Sequence, residues 1–206
     1  MATFFDPRAR ITPSAQALIG LYRLAQGLQH RLRQRGQARG LSPAQVQALL
    51  FLRYARPGVR TIGGLAQRLG CTAATASEVA DALERKGLLQ RHPWEEDQRV
   101  ITLSLTPAGE QEITALEGWL DDLETTLAAL PPAQQQALLT AVQALVRTLQ
   151  QAGDVVVYEM CWGCQFFRPY AHPETPQTPH HCAFVDTPLS DPYTYLECPD
   201  FIPRST

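Results

Sequence analysis

Apolar residues recur at intervals of three and four along much of the chain, a spacing that places them on one face of an α-helix. The pattern predicts a long helix from about Pro13 to Gln37 and a second helix that the pair Ser42-Pro43 opens as N-cap and first turn. Two later stretches have the same period, one from about Pro107 to the Pro131-Pro132 pair and one from about Ala133 to Gln150. These helices need apolar partners, because one face of each is rich in leucine.

Two short helices are predicted between the long ones. Thr61 is placed to cap a segment that ends at Gly70, and Thr72 is placed to cap a helix from Ala73 to Lys86 that ends at Gly87. Two short helices that meet at a small turn form a helix-turn-helix unit, whose second helix enters the major groove of DNA.

The residues after Gly87 predict a β-hairpin. Leu88–Arg91 and Val100–Leu105 are the expected strands, and the polar segment from Pro93 to Arg99 is the expected exposed loop. A hairpin beside a helix-turn-helix unit is a wing. The expected fold class is therefore mainly α, a winged helix-turn-helix with dimerisation helices and a small loop-rich cysteine module.

The net charge of −2 conceals a strong asymmetry along the chain. Residues 1–105 hold 15 Lys and Arg against 7 Asp and Glu, whereas residues 154–206 hold 2 against 7. Non-specific affinity for a polyanion comes from local basic surface and not from total charge. We expect a phosphate-facing surface in the first half and a tail that points away from it.

Two segments resemble the multiple antibiotic resistance regulator (MarR) family of winged-helix repressors. The first is LAQRLGCTAATASEVADALERKGLLQRH, and the second is the wing EEDQRVITLSLTPAGE. In the wing, Asp97 and Arg99, followed by Leu105, Thr106 and Gly109, match the family pattern Asp-x-Arg leading into Leu-Thr-x-x-Gly. The resemblance covers roughly residues 10–150. It implies a two-fold dimer, built from the N-terminal and the two late helices, that binds a palindromic operator in double-stranded DNA.

The predicted recognition helix of about 21 Å is long enough to lie in a major groove. Its N-terminal side offers Thr72, Thr75 and Ser77 to base edges or phosphates. Arg99, in the wing, is expected to enter a minor groove, where the potential is most negative. The candidate contacts to backbone phosphates are Arg60, Arg68, Arg85, Lys86 and Arg91.

Two acids lie on the same helix. Many members of the resembled family carry a basic residue at the position of Glu78, where an acid would repel a phosphate although it could accept a hydrogen bond from cytosine. Asp81 is expected to be a partner within the fold for a nearby arginine.

Residues 154–206 differ in kind from residues 1–153, and we expect them to form a separate module. They hold four of the five cysteines, three of the five histidines and eight of the 16 prolines, with no sustained helical period. A segment of this size and composition cannot bury a core unaided, so it needs a cross-link or a bound metal.

The four cysteines Cys161, Cys164, Cys182 and Cys198 are the candidate cofactor or metal ligands. In a reducing compartment a metal explains such a group better than disulfides do, although free thiols are the alternative. One CxxC pair is followed by two isolated cysteines, after 17 and then 15 intervening residues, and this spacing resembles that of the ligands in high-potential iron–sulfur proteins and in small ferredoxin-like modules. This spacing favours a [4Fe–4S] cluster over a zinc ribbon, which normally has two CxxC knuckles.

A structural zinc site surrounded by an aromatic mini-core is the main alternative for the tail. Ligation by His172, His180 or His181 is less favoured, because four cysteines are available. Cys71, at the turn before the recognition helix, fits a small buried hydrophobe better than a redox switch.

The sequence favours a transcriptional repressor whose DNA affinity is set by a bound ligand or by a cluster that senses redox state, oxygen or iron. An iron–sulfur electron carrier is the rival from another class. No nucleophile–base pair, phosphate loop or dinucleotide motif supports an enzyme. The first ten residues lack an apolar signal core and no apolar run could span a bilayer, so we expect a cytoplasmic protein that does not bind membranes. Any small-molecule effector is left open.

Overall fold

The computed structural model describes residues 5–6, 8, 11–55, 57–94, 98–152, 161–194, 198, 201–202 and 204. Over these residues the chain is mainly helical, and the predicted wing is present. The helices are α1 (Pro13–Gln37), α2 (Pro43–Tyr54), α3 (Ile62–Leu69), α4 (Ala73–Arg85), α5 (Pro107–Thr114), α6 (Asp121–Ala128) and α7 (Pro132–Ala152). The strands are β1 (Leu89–Pro93), β2 (Ile101–Leu105), β3 (Phe167–Arg168), β4 (His180–Cys182) and β5 (Thr187–Leu189).

Side-chain caps fix where the helices of the first half begin. The Ser42 hydroxyl accepts a hydrogen bond from the Gln45 backbone N–H, and the Gln45 side chain accepts one from the Ser42 N–H, which forms a capping box. Thr61 and Thr72 cap α3 and α4 in the simpler way, each accepting from a backbone N–H three residues on. The predicted starts of these three helices are confirmed, because each cap satisfies a backbone donor that the first turn leaves unpaired.

The main core gathers around α2. Val46, Leu49 and Leu52 of this helix are almost completely buried, and they pack with apolar residues of α3, α4, the hairpin and α5. Ion pairs at the surface bind the same helices: Arg53 of α2 pairs with Glu110 of α5. This packing holds α3 and α4 rigidly against the base of the hairpin.

The prediction of one unbroken helix from Pro107 to the Pro131-Pro132 pair was wrong in the middle of that segment. The structure divides it into α5, a 3₁₀ turn over Glu117–Leu120, and α6. The backbone at Gly118 has a ψ of 17°, outside the helical range, and the Trp119 N–H bonds the Leu116 carbonyl three residues back. The leucine period continues across this break, because a short 3₁₀ turn changes the direction of the chain without removing its apolar face.

The tail contains three short strands in the order β3-β4-β5, all antiparallel. Phe167 of β3 lies opposite Cys182 of β4, and Cys182 in turn lies opposite Thr187 of β5. The loss of helical pattern predicted at Gly153 lies outside the described residues. Within the described residues, no helix combines the length and the apolar character needed to cross a membrane.

Candidate nucleic-acid interface and cysteine cluster

The turn between α3 and α4 presents the second helix to solvent. Gly70 ends α3 with a φ of 62°, a left-handed conformation that glycine adopts without steric cost, and the Cys71 N–H bonds the Ala66 carbonyl at 3.0 Å. Thr72 then opens α4 as its N-cap. The chain therefore turns sharply at Gly70, and the N-terminal end of α4 is left uncovered.

The two faces of α4 have different environments. Ala76, Ala80 and Leu83 are fully buried against the core, whereas Thr72, Thr75 and Glu78 on the other face are exposed. Ser77 is half-buried between the two faces. The Thr72 hydroxyl also lies 3.0 Å from the Thr75 hydroxyl, so these two side chains form one polar group at the helix start.

Two of the predicted phosphate contacts, Arg68 and Arg85, lie on α3 and α4, and Arg99 follows them in the wing. Arg85 and Arg99 are exposed, and Arg68 is half-buried near the C-terminal end of α3. These three arginines lie on α3, on α4 and in the wing, the three elements of the predicted DNA-binding unit.

The structure gives Arg91 a role within the fold. Its guanidinium pairs with the Asp81 carboxylate at 2.6 Å and also with Glu84, which joins β1 to α4. The prediction that Asp81 is a partner for a nearby arginine is confirmed. Arg91 was predicted as a phosphate contact, but two carboxylates of the recognition helix already neutralise its charge.

Lys86 and Arg60, the other two predicted phosphate contacts, are also engaged within the fold. The Lys86 ammonium donates to the Gly40 carbonyl and to the Gln45 side chain, so it fastens the end of α4 to the start of α2. The Arg60 guanidinium donates to the Ala55 carbonyl at 2.6 Å, and burial lowers its pKa. Both side chains link core elements, a role that residue type alone does not reveal.

The wing hairpin forms almost as predicted. Leu89 pairs with Leu105 and Pro93 with Ile101, and the Trp94 N–H extends the ladder by bonding the Val100 carbonyl at 2.8 Å. Arg99 lies in the turn just before β2. Asp97 of the wing pattern lies outside the described residues.

The Leu-Thr-x-x-Gly part of the wing pattern has a structural explanation. The Thr106 hydroxyl accepts from the Gly109 N–H as the cap of α5 and donates to the Gly87 carbonyl at 2.6 Å. A Cβ atom on Gly109 would lie 2.1 Å from the Leu88 carbonyl oxygen, closer than any side chain permits. These residues therefore seat α5 against the base of the wing.

Apolar side chains stand exposed along α1, α6 and α7 in the single chain. Leu24 and Leu145 are 49% and 48% exposed, although both belong to the leucine stripes that predicted these helices. The remaining exposed leucines of these three helices are Leu18, Leu21, Leu127, Leu138 and Leu149. An apolar surface of this extent on a monomer is typical of an interaction site.

The backbone of the tail brings the four predicted cysteine ligands to one place. The Cys164 N–H bonds the Cys161 carbonyl at 2.8 Å, which makes a tight knuckle, and the Phe167 N–H bonds the Cys164 carbonyl at 3.2 Å. Phe167 pairs across the sheet with Cys182. On the other side, the Gln165 N–H bonds the Ile202 carbonyl at 2.8 Å, which brings the segment that follows Cys198 alongside the knuckle.

The thiols are close enough to influence one another. Burial, followed by the proximity of Cys198, Cys164 and Cys182, raises the pKa of the Cys161 thiol to about 12. All five cysteines belong to the described residues, and none forms a disulfide. Among the residues that the structure describes, no three metal-ligating side chains are gathered tightly enough to share a single metal ion. The cluster is thus a loose group of four thiols.

A histidine that the sequence placed only as an unfavoured ligand is the centre of a small aromatic core. His180 is fully buried among Trp162, Phe167 and Tyr170, with ring centroids 5.0–5.3 Å from its own. Its Nδ1 accepts from the Tyr170 backbone N–H, so its Nε2 donates to the Asp191 carboxylate at 2.7 Å. The aromatic mini-core expected in the tail is therefore gathered around His180. No local spacing in the sequence predicts this packing, because consecutive members of the group lie up to ten positions apart.

The comparisons with known proteins agree with this geometry. Residues 39–100 match the model of the MarR family. The HTH-type transcriptional repressor MdtR of Bacillus subtilis is 32% identical over 92 residues, which span 45% of this chain and 58% of MdtR. The curated relatives MdtR and YetL of Bacillus subtilis are HTH-type transcriptional repressors, which agrees with the regulator expected from the sequence.

Solved structures show that the likeness extends to the fold. A MarR family protein from Bacillus stearothermophilus superposes with a TM-score of 0.57 at 23% identity, over 66% of this chain and 95% of that one. The S. aureus MepR–DNA complex gives a TM-score of 0.56 at 21% identity, over 68% of this chain and 99% of MepR. The chain therefore has the MarR winged-helix fold over about two thirds of its length.

Proposed function

We propose that this chain is a transcriptional regulator of the MarR type, acting as a repressor, that binds a palindromic operator in double-stranded DNA as a homodimer. The observations that carry the proposal are the solvent-facing N-terminal end of α4 and the exposed position of Arg99 in the wing. A helix of this length fits a major groove, while the wing reaches the neighbouring minor groove. The repressor MdtR and the MepR–DNA complex support the same function by likeness.

We assign different roles to the predicted contacts. Thr72, Thr75 and Ser77 are proposed to meet base edges or phosphates at the start of α4. Arg68, Arg85 and Arg99 are proposed to contact the DNA backbone or the minor groove, since they lie on α3, on α4 and in the wing within the basic half of the chain. Glu78 lies exposed on the same face, so it selects among sites by repelling phosphates that approach it.

Dimerisation is proposed to cover the leucine faces of α1, α6 and α7. These helices precede and follow the winged unit in the chain, so a two-fold contact between them would hold two α4 helices on one side of the dimer. Two recognition helices spaced by about 34 Å would read half-sites one turn of DNA apart. A second copy suits these faces because both partners then bury the same kind of apolar surface.

The tail is proposed to act on this dimer. Residues 1–153 form the DNA-binding and dimerisation domain, and residues 154–206 form a cysteine-ligated module whose state sets the affinity of the domain for DNA. The contact of the module with α7 supports this arrangement, since α7 carries part of the proposed dimer surface.

The proposed function is tested by selection from a pool of random DNA duplexes, followed by sequencing and by anisotropy titrations with the selected duplex. We expect a two-fold symmetric motif, and we expect log K to fall linearly with log salt concentration. A reporter placed behind that motif should be transcribed less when the protein is present. A protein that enriches no motif, and that binds duplex no better than single-stranded DNA, would contradict the proposal.

A further inference from the structure

We propose that the cavity between α7 and the tail binds a small planar aromatic acid that also carries a hydrogen-bond donor, of which para-aminobenzoate is a simple example. The cavity has a volume of about 530 Å³, within the range of small-molecule sites. Its walls come from one side of α7 and from Trp162, Tyr170, Asp191 and Thr194 of the tail. Binding here is separate from the proposed function and does not depend on it.

The tail packs on the side of α7 that faces away from the leucine stripe. Four polar residues of this helix line the cavity, and their spacing of three or four places them along one side: Gln136, Thr140, Gln143 and Arg147. The exposed Leu138, Leu145 and Leu149 lie roughly half a turn away from that line. A dimer that buries the leucines would therefore leave the cavity open to a ligand.

Two donors of α7 favour an anionic ligand. The guanidinium of Arg147 stacks on Trp162, and a guanidinium covered on its face keeps its N–H edge for a carboxylate, which it binds through two parallel hydrogen bonds. The Gln143 amide nitrogen is buried, and no group among the described residues accepts a hydrogen bond from it. Because Gln143 and Arg147 are one helical turn apart, a single carboxylate can accept from both.

The apolar part of the lining favours an aromatic ring. The rings of Trp162 and Tyr170 lie at 61° to each other with centroids 6.2 Å apart, so they form a corner. Both are held in place: the Trp162 Nε1–H donates to the Thr194 hydroxyl, and the Tyr170 backbone N–H donates to His180 Nδ1. A planar ligand ring can stack on one wall of this corner and meet the edge of the other.

Asp191 decides which way the ligand lies. One of its carboxylate oxygens accepts from His180 Nε2 at 2.7 Å, and its side chain remains 74% exposed at the cavity. This carboxylate would repel the acid group of the ligand, whereas it can accept a hydrogen bond from an amino or hydroxyl group. The ligand is therefore expected to place its carboxylate at Arg147 and its donor at Asp191.

The test is a calorimetric titration of the unmutated full-length chain with para-aminobenzoate, combined with NMR of the Trp162 indole N–H. Loss of the signal in Trp162→Phe identifies it. We expect one site per chain, a Kd below about 1 mM and movement of this signal on binding. Aniline lacks the carboxylate, and cyclohexanecarboxylate lacks the aromatic ring, so each should bind at least about tenfold more weakly.

Variants locate the site. Arg147→Gln should weaken binding of para-aminobenzoate at least about tenfold, and Arg147→Lys should weaken it less, because lysine keeps the charge but not the two-donor edge. Gln143→Leu removes the buried amide at similar size and should also weaken binding. Arg33→Gln, which removes an exposed charge from α1, is the matched control and should bind as the unmutated chain does.

Three outcomes would overturn the proposed ligand site. The first is no saturable binding of para-aminobenzoate to the unmutated chain. The second is equal binding of aniline or of cyclohexanecarboxylate, and the third is equal affinity in Arg147→Gln and Arg33→Gln. The first two need no variant, so they decide the matter even where a variant fails to fold. None of these measurements includes DNA, so failure of the ligand site and failure of operator binding are distinguishable.

Discussion

The guanidinium carbon of Arg147 lies 5.3 Å from the ring centroid of Trp162, the residue between the two cysteines of the knuckle. Trp162 is fixed from its other end, because its Nε1–H donates to the Thr194 hydroxyl at 3.2 Å. Arg147 lies on α7, two residues after the exposed Leu145 of the proposed dimer surface. One cation–π contact therefore joins the cysteine cluster to the helix that would position the second subunit.

Removal of the Arg147–Trp162 contact should weaken the effect of the cysteine module on DNA affinity. In Arg147→Gln, we expect the DNA affinities of protein with and without the metal centre expected at the tail cysteines to differ less than in the unmutated chain, because a cation–π contact contributes about 0.5–1 kcal/mol at an exposed site. Anisotropy titrations of both forms measure the effect. Arg33→Gln, which removes an exposed charge from α1, is the control. An unchanged ratio of the two affinities would show that Arg147 does not transmit the state of the module.

Replacement of a tail cysteine should disorder the tail and change DNA affinity. In Cys161→Ser or Cys198→Ser, amide hydrogen exchange should become fast in residues 161–194, since few side chains there are buried to offset the ordering entropy. A change of about 1.4 kcal/mol in the coupled equilibrium would alter DNA binding tenfold. If exchange increases while affinity stays the same, the module is structural and does not act on DNA binding.

Arg99→Ala should weaken binding to duplex DNA at every sequence tested. We expect the slope of log K against log salt concentration to become less steep by about one, because a single phosphate or minor-groove contact is lost. Salt titrations with the selected operator and with an unrelated duplex measure this. An unchanged slope would exclude wing contact with DNA, and Arg33→Ala should leave the slope as it is.

Arg91→Ala should behave differently from Arg99→Ala, because Arg91 already pairs with Asp81 and Glu84. We expect the free energy of unfolding to fall by up to about 1 kcal/mol, the range of partly exposed ion pairs, with little change in the salt slope. Urea denaturation and the same salt titrations make the comparison. A loss of slope equal to that of Arg99→Ala would restore Arg91 as a phosphate contact.

A charge on the leucine face should dissociate the dimer. Leu145→Glu places a carboxylate where the second subunit would bury an apolar side chain, and an unpaired buried charge is strongly unfavourable. Sedimentation should show a dimer for the unmutated chain and a monomer for the variant at micromolar concentration. Gln67→Glu, which adds the same charge at an exposed position of α3, is the control and should leave the dimer intact.

Local signals in the sequence determined most of the secondary structure. The caps at Ser42, Thr61 and Thr72 fix helix starts within one residue, because each depends on a hydrogen bond that spans only three positions. The wing strands were predicted from the polar segment between Pro93 and Arg99, which separates two short strand-like runs. The interruption at Gly118 could not be predicted, since the leucine period is unbroken there and the turn depends on how α5 and α6 pack.

Site residues divide along the same line. Sequence alone identified a basic first half, a recognition helix and four cysteines, because composition, spacing and motif are properties of the chain. Only the tertiary structure decided that Arg60, Lys86 and Arg91 bond within the fold, while Arg85 and Arg99 stay exposed. It also decided that His180 is buried and that Arg147 meets Trp162. The partner of a side chain is often a residue far away in the sequence that folding brings close, and no local pattern in the sequence encodes such a contact.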